Sequence, residues 1–123
     1  MAYTVLVVDD AAFMRNMVKD VFADMADFTV VGEATNGLEA VKGYKELRPD
    51  LVTMDIVMPV KSGIEAVREI SNADKGARII MCSALGQESL VMEAIEAGAK
   101  DFIVKPFKPE KVKEVVNRVM GIK

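Results

Sequence analysis

The chain returns five times to a short apolar run rich in β-branched residues: YTVLVV (3–8), FTVVGEA (28–34), LVTM (51–54), ARIIMCS (77–83) and DFIV (101–104). The stretches between these runs carry apolar residues three and four apart, the spacing of amphipathic helices. Strand and helix alternating from end to end leave few solutions. Parallel strands need long crossovers, and right-handed crossovers place helices on both faces of the sheet. The expected fold is α/β, a doubly wound five-stranded parallel sheet with five helices. Ligands in such folds bind outside the carboxyl ends of the strands, where strand order reverses.

The helical stretches support this reading. In the first, Phe13, Met14, Met17, Val18, Val21, Phe22 and Met25 are expected on the inward side, the methionines as core filler. The second is expected to begin at Asn36 with Glu39 three residues on, and the third at Ser62 with Glu65, both as capping boxes. The fourth has Leu90, Val91, Ala94 and Ile95 as its apolar stripe and ends at Gly98. In the fifth, Pro109 suits the first turn and Val112, Val115, Val116 and Val119 face inward.

At 123 residues the chain fits one domain with one hydrophobic core. Its net charge of −3 offers no general attraction for nucleic acid or an anionic membrane. No apolar stretch approaches the roughly 18 residues of a membrane span, and the start MAYTVLVV lacks the basic region of a secretory signal, so a cytoplasmic location is expected. The single Cys82, set in IIMCSA, reads as an inert core thiol. The chain has no histidine, which removes Ser-His-Asp and Cys-His catalysis and any role as a phosphohistidine carrier.

Function should therefore lie in what the strand ends carry. The first run ends in Asp9 and Asp10, the third in Asp55 and the fourth in Ser83, while the fifth runs into Lys105 and Pro106. Taken singly, Asp10 could cap the first helix, Ser83 could be a turn residue, and Lys105 and Asp55 could be loop charges. Brought together by the fold, they make three carboxylates, a hydroxyl and an ammonium. Crowded carboxylates repel one another and lose hydration, which a hard divalent cation with oxygen ligands offsets. Mg2+ is the expected ion, and a phosphoryl oxygen could share its coordination shell.

VLVVDD, MDIVMP, CSA and KPF, in this order and spacing over nearly the whole chain, resemble the receiver domain of two-component response regulators. DDAAFMRNMVKDVF, GEATNG, CSALGQ and AGAKDFIVKPF are similar, within that family, to its stand-alone chemotaxis members. The resemblance implies a flavodoxin-like strand order of 2-1-3-4-5 and a single response regulatory domain over 1–123 with no output domain. It implies Asp55 as phosphoacceptor and Asp10 as a direct Mg2+ ligand, with Asp9 holding metal-bound water and the Val57 carbonyl completing the protein ligands. Ser83 and Lys105 would contact the phosphoryl group, and Ser83 with Phe102 would form the switch. The chain would catalyse its own phosphorylation and dephosphorylation without being an enzyme of the usual kind. The implied partners are a histidine kinase of CheA type, a phosphatase, and a motility switch protein or adaptor met by the fourth helix, fifth strand and fifth helix. Neither nucleic acid nor membrane is among them, and a monomer is expected. A single-domain receiver in a phosphorelay outside chemotaxis is the alternative.

Two positions depart from the commonest family pattern. Phe102 lacks the tyrosine hydroxyl often found there, so burial can switch but a hydroxyl contact to a partner cannot form. Val57, two residues past Asp55, has no polar group to orient water, which predicts slow to moderate self-dephosphorylation. The fourth helix carries Glu88, Glu93 and Glu96, with no basic residue between Arg78 and Lys100. That charge suits a partner with a basic patch, such as an adaptor of archaeal type. A haloacid-dehalogenase-type phosphatase would need a second Asp where Val57 stands. A flavin module would need a hydroxyl- and glycine-rich loop where DDAAF stands. A degenerate receiver acting only as a scaffold would not keep the full acid, hydroxyl and lysine set.

Overall fold

The computed structural model describes residues 2–122. Five strands, β1 (Tyr3–Val8), β2 (Phe28–Ala34), β3 (Leu51–Asp55), β4 (Ile79–Ser83) and β5 (Asp101–Val104), alternate with five helices. These are α1 (Ala12–Ala23), α2 (Gly37–Leu47), α3 (Gly63–Ala73), α4 (Glu88–Ala97) and α5 (Pro109–Met120). All neighbouring strands pair in parallel, in the order β2-β1-β3-β4-β5. The register between β1 and β2 shifts once, between Val5 and Leu6.

Alternation along each strand divides the core into two layers. Leu6, Val8, Val52, Met54, Ile79 and Met81 pack against α2, α3 and α4. Val5, Val7, Leu51, Ile80 and Ile103 point the other way, onto α1 and α5. Strands buried on both faces read as continuous apolar runs, which is why β3 and β4 show no polar alternation.

Several local expectations change. Phe13 is 73% exposed rather than inward. At about 100° per residue it leaves α1 more than a quarter turn from the buried side carrying Val18, Val21 and Phe22, and Met25 lies beyond the helix end. Ile95 likewise lies on the flank of α4, while Val91 and Ala94 are buried. The Ser62–Glu65 capping box is complete. At α2 only half of it forms. Asn36 accepts from the Glu39 N–H, but the Glu39 carboxylate reaches past it to the N–H and hydroxyl of Thr35, both at 2.8 Å. Asp10 does not cap α1; Ala11 is the N-cap residue, and its N–H donates to the Asp9 carboxylate at 2.9 Å.

At the opposite end of the molecule α2 and α3 are joined by a polar contact. The buried Tyr44 donates its hydroxyl to Asp74 at 2.7 Å, and the Arg48 guanidinium lies 5.8 Å from the Tyr44 ring centre. Burial, then the hydrogen bond to Asp74, pushes the Tyr44 pKa up to about 12. The same hydrogen bond, with the Gly76 N–H, holds Asp74 below its usual value.

Candidate functional site

Parallel strands present their carboxyl ends on one edge, and the chain leaves its polar groups there. Asp9 and Asp10 follow β1, Asp55 and Ser83 are the last residues of β3 and β4, and Lys105 follows β5. Apolar strands fix these positions: β1, β3 and β4 are buried on both faces before their polar residues emerge. β5, which leads into Lys105, is held by the buried Ile103 and leaves Phe102 and Val104 exposed. Ser83 is buried, as are Asp9 and, at 9% exposure, Asp55. Asp10 is exposed.

One oxygen each from Asp9, Asp10 and Asp55 lies within 4.8 Å of the others. Lys105 Nζ reaches two of them, donating to Asp9 Oδ2 at 3.1 Å and standing 3.4 Å from Asp55 Oδ1. Asp55 Oδ1 also accepts from the Ile56 N–H at 2.9 Å. Among the described residues, no side-chain hydrogen bond or ion pair involves Asp10.

Burial pushes the Asp55 carboxyl above its ordinary value; the Lys105 ammonium opposes this and the Asp9 charge reinforces it. Burial also disfavours the Lys105 ammonium, but the charge of Asp55 and the bond to Asp9 outweigh that and raise its pKa. Cys82, opposite Asp55 in the sheet register, is buried and pushed up to about 12 by desolvation, so it is an inert thiol at neutral pH.

Three clustered carboxylates face one ammonium, leaving negative charge uncompensated. The all-oxygen donor set is that of a hard divalent cation, and the cluster is able to coordinate one. The structure brings Asp9, Asp10, Asp55 and Lys105 together, with Ser83 on the adjoining strand end. Val57 turns its side chain outward, 57% exposed, on the rim of a groove shared with Met58, Ser62 and Leu90. Phe102 lies farther out on β5, 41% exposed. Beside it opens an apolar pocket of about 250 Å3 lined by Ser83, Leu85, Val91, Met92, Phe102 and Val104.

Two features of the site were not legible in the sequence. Gly63, the first residue of α3, lies so close to the end of β3 that a Cβ there would stand 2.1 Å from the Asp55 carbonyl oxygen. Its N–H donates to the Ile56 carbonyl at 2.8 Å. The other is Arg15, which reads as a helix-surface charge. It donates from Nη1 to the Asp9 carbonyl at 2.9 Å and from Nε to Glu33 at 3.0 Å. Only the pairing of β1 with β2 brings Glu33 into reach, and no spacing signal announces it.

The response regulator receiver domain family matches residues 5–117. The chain is 60% identical over 119 residues to the chemotaxis protein CheY of Thermotoga maritima, covering 97% of this chain and 98% of that one. It is 58% identical over 121 residues to the chemotaxis protein CheY of Bacillus subtilis, covering 98% of this chain and all of the other. Among solved structures, a CheX-CheY-BeF3-Mg2+ complex from Borrelia burgdorferi contains a chain that superposes with a TM-score of 0.91 at 41% identity. That match covers 98% of this chain and 90% of the other.

Proposed function

The chain belongs to the response regulator receiver family, as a CheY-type receiver of a two-component system, and on that premise we propose that it takes a phosphoryl group on Asp55. The observation that carries this reading is the convergence of the Asp9, Asp10 and Asp55 oxygens within 4.8 Å. One Asp55 oxygen is held by the Ile56 N–H and lies near Lys105, so the carboxylate is fixed in orientation before any donor arrives. The other oxygen attacks phosphorus as the donor's phosphorus–nitrogen bond breaks, and the donor imidazole keeps the electron pair. With no histidine of its own, the chain receives this group from a kinase of the CheA type.

Asp9, Asp10 and Asp55, with the Val57 carbonyl, would hold Mg2+. Bound there, Mg2+ would neutralise charge shared between carboxylate and phosphoryl oxygens. A carboxylate is a weak nucleophile, so orientation by the rigid strand and electrostatic compensation supply most of the acceleration. Lys105 then pairs with the arriving phosphoryl oxygens, and the Ser83 hydroxyl donates to them. Phe102 follows Ser83, entering the pocket beside it. The readout surface is α4, β5 and α5, where Glu88, Glu93 and Glu96 favour a motility component or adaptor with a basic patch. A phosphatase acting at the phosphorylated Asp55 is the further partner of this reading.

Incubation with acetyl phosphate and Mg2+ followed by intact mass tests this directly. Wild type should gain one phosphoryl mass and Asp55→Asn none. A modified Asp55→Asn, or an unmodified wild type, would defeat the assignment.

A further inference from the structure

Asp10 has no side-chain partner among the described residues, so what the fold fixes of it is the backbone from which its Cα–Cβ bond departs. The peptide joining Asp9 to Asp10 is planar, and fixing its carbonyl fixes the plane from which Asp10 departs. Arg15 fixes that carbonyl, donating from Nη1 to the Asp9 oxygen at 2.9 Å.

The guanidinium is itself anchored. Its Nε donates to Glu33 Oε1 at 3.0 Å, and Lys19 holds the other Glu33 oxygen at 3.0 Å. Glu33 is on β2, opposite Val7 on β1. The Asp9 N–H donates to the Ala34 carbonyl at 3.1 Å, so both polar groups of the Asp9 backbone are tied, one directly to β2 and one to β2 through Arg15. The Arg15 side chain is only 17% exposed, which limits competition from water for these bonds. A rigid fork of donors serves two acceptors in different directions; a single ammonium on a flexible stem does so poorly.

Resting on the metal-bearing reading above, we infer that Arg15 is a positioning residue of the divalent-cation site: by holding the Asp9 carbonyl it aims Asp10 and so sets the affinity for Mg2+. Groups that orient metal ligands without touching the ion commonly govern affinity by 10- to 100-fold. A purely structural Arg15, tying α1 to β2, would change the melting temperature and leave Mg2+ affinity alone.

The two roles separate in a calorimetric titration of Mg2+ into wild type, Arg15→Gln, Arg15→Lys and Lys19→Ala, without a phosphodonor. Arg15→Gln should weaken Mg2+ about tenfold, with Arg15→Lys weakened in the same sense. Lys19→Ala should match wild type, because the Arg15 bond to the Asp9 carbonyl survives. In a second measurement, the rate of phosphorylation of Arg15→Gln by acetyl phosphate should return toward wild type as Mg2+ saturates. Folded Arg15→Gln binding Mg2+ with wild-type affinity overturns the inference. If that variant does not fold, Arg15→Lys replaces it under the same two outcomes. Wild type that takes up no Mg2+ overturns the metal reading itself, a separate failure.

Discussion

Asp10 brings a charge close to two other carboxylates and meets no cation among the described residues, whereas Asp9 and Asp55 share Lys105. Repulsion without a partner destabilises the metal-free fold. Asp10→Asn should therefore raise stability in Mg2+-free buffer by about 1 kcal/mol, seen as a melting temperature a few degrees higher. Mg2+ at 100 times its dissociation constant should stabilise wild type by about 2.7 kcal/mol and the variant far less. A variant no more stable than wild type without the ion would count against this charge balance. Val57 makes a second residue-level case, since its exposed isopropyl group on the rim presents nothing to orient an attacking water. Val57→Asn should shorten the phosphoryl lifetime several-fold, measured by the decay of labelled protein after the donor is removed. Asp9, Asp10, Asp55, Ser83 and Lys105 were legible because polar residues ending apolar runs are conspicuous. Arg15 was not, because its partners come from β1's end and a strand 18 residues away in sequence.

At the scale of elements, periodicity located every strand and helix, while the ends followed local chemistry. β3 continues through Asp55, since pairing with β4 extends to Cys82. The α2 cap departs from expectation because Glu39 finds two donors on Thr35, a better arrangement than the single N–H of Asn36. The α2–α3 contact through Tyr44 and Asp74 was invisible, as nothing in a helical pattern reveals which hydroxyl will meet which helix end. It leaves a pH signature. Asp74 has a lowered folded pKa, so its contribution is present above the ordinary value of 3.8 and is lost as pH falls through the depressed one. Tyr44 is raised, so its contribution is full below the ordinary 10.0 and is lost as pH rises toward about 12. Tyr44→Phe should lower the urea midpoint at neutral pH and flatten both limbs. Limbs of unchanged steepness in the variant would assign the pH dependence to other groups.

For the whole molecule, the apolar pocket lined by Ser83, Phe102 and residues of α4 lies between the end of β4 and the α4–β5 face. Charge-assisted hydrogen bonds contribute on the order of 1.5 to 3 kcal/mol each. Two that form only after phosphorylation approach the roughly 5.5 kcal/mol needed to reverse a 1:99 equilibrium; one does not. Ser83→Ala should accept phosphate yet leave Phe102 largely outside, read from its ring resonances with and without acetyl phosphate and Mg2+. Ring shifts equal to those of wild type would uncouple the two residues. The doubly wound architecture was legible from the alternation of runs, and the order of strands only from resemblance. The clearance at Gly63 has a further consequence. With no space for even a methyl group between the start of α3 and the carbonyl of Asp55, a random mutagenesis library should tolerate change across the exposed rim around it but fall silent at this position. The spacing between acceptor strand and third helix then behaves as a fixed gauge, passed on by main-chain thickness rather than by any side chain that selection could tune.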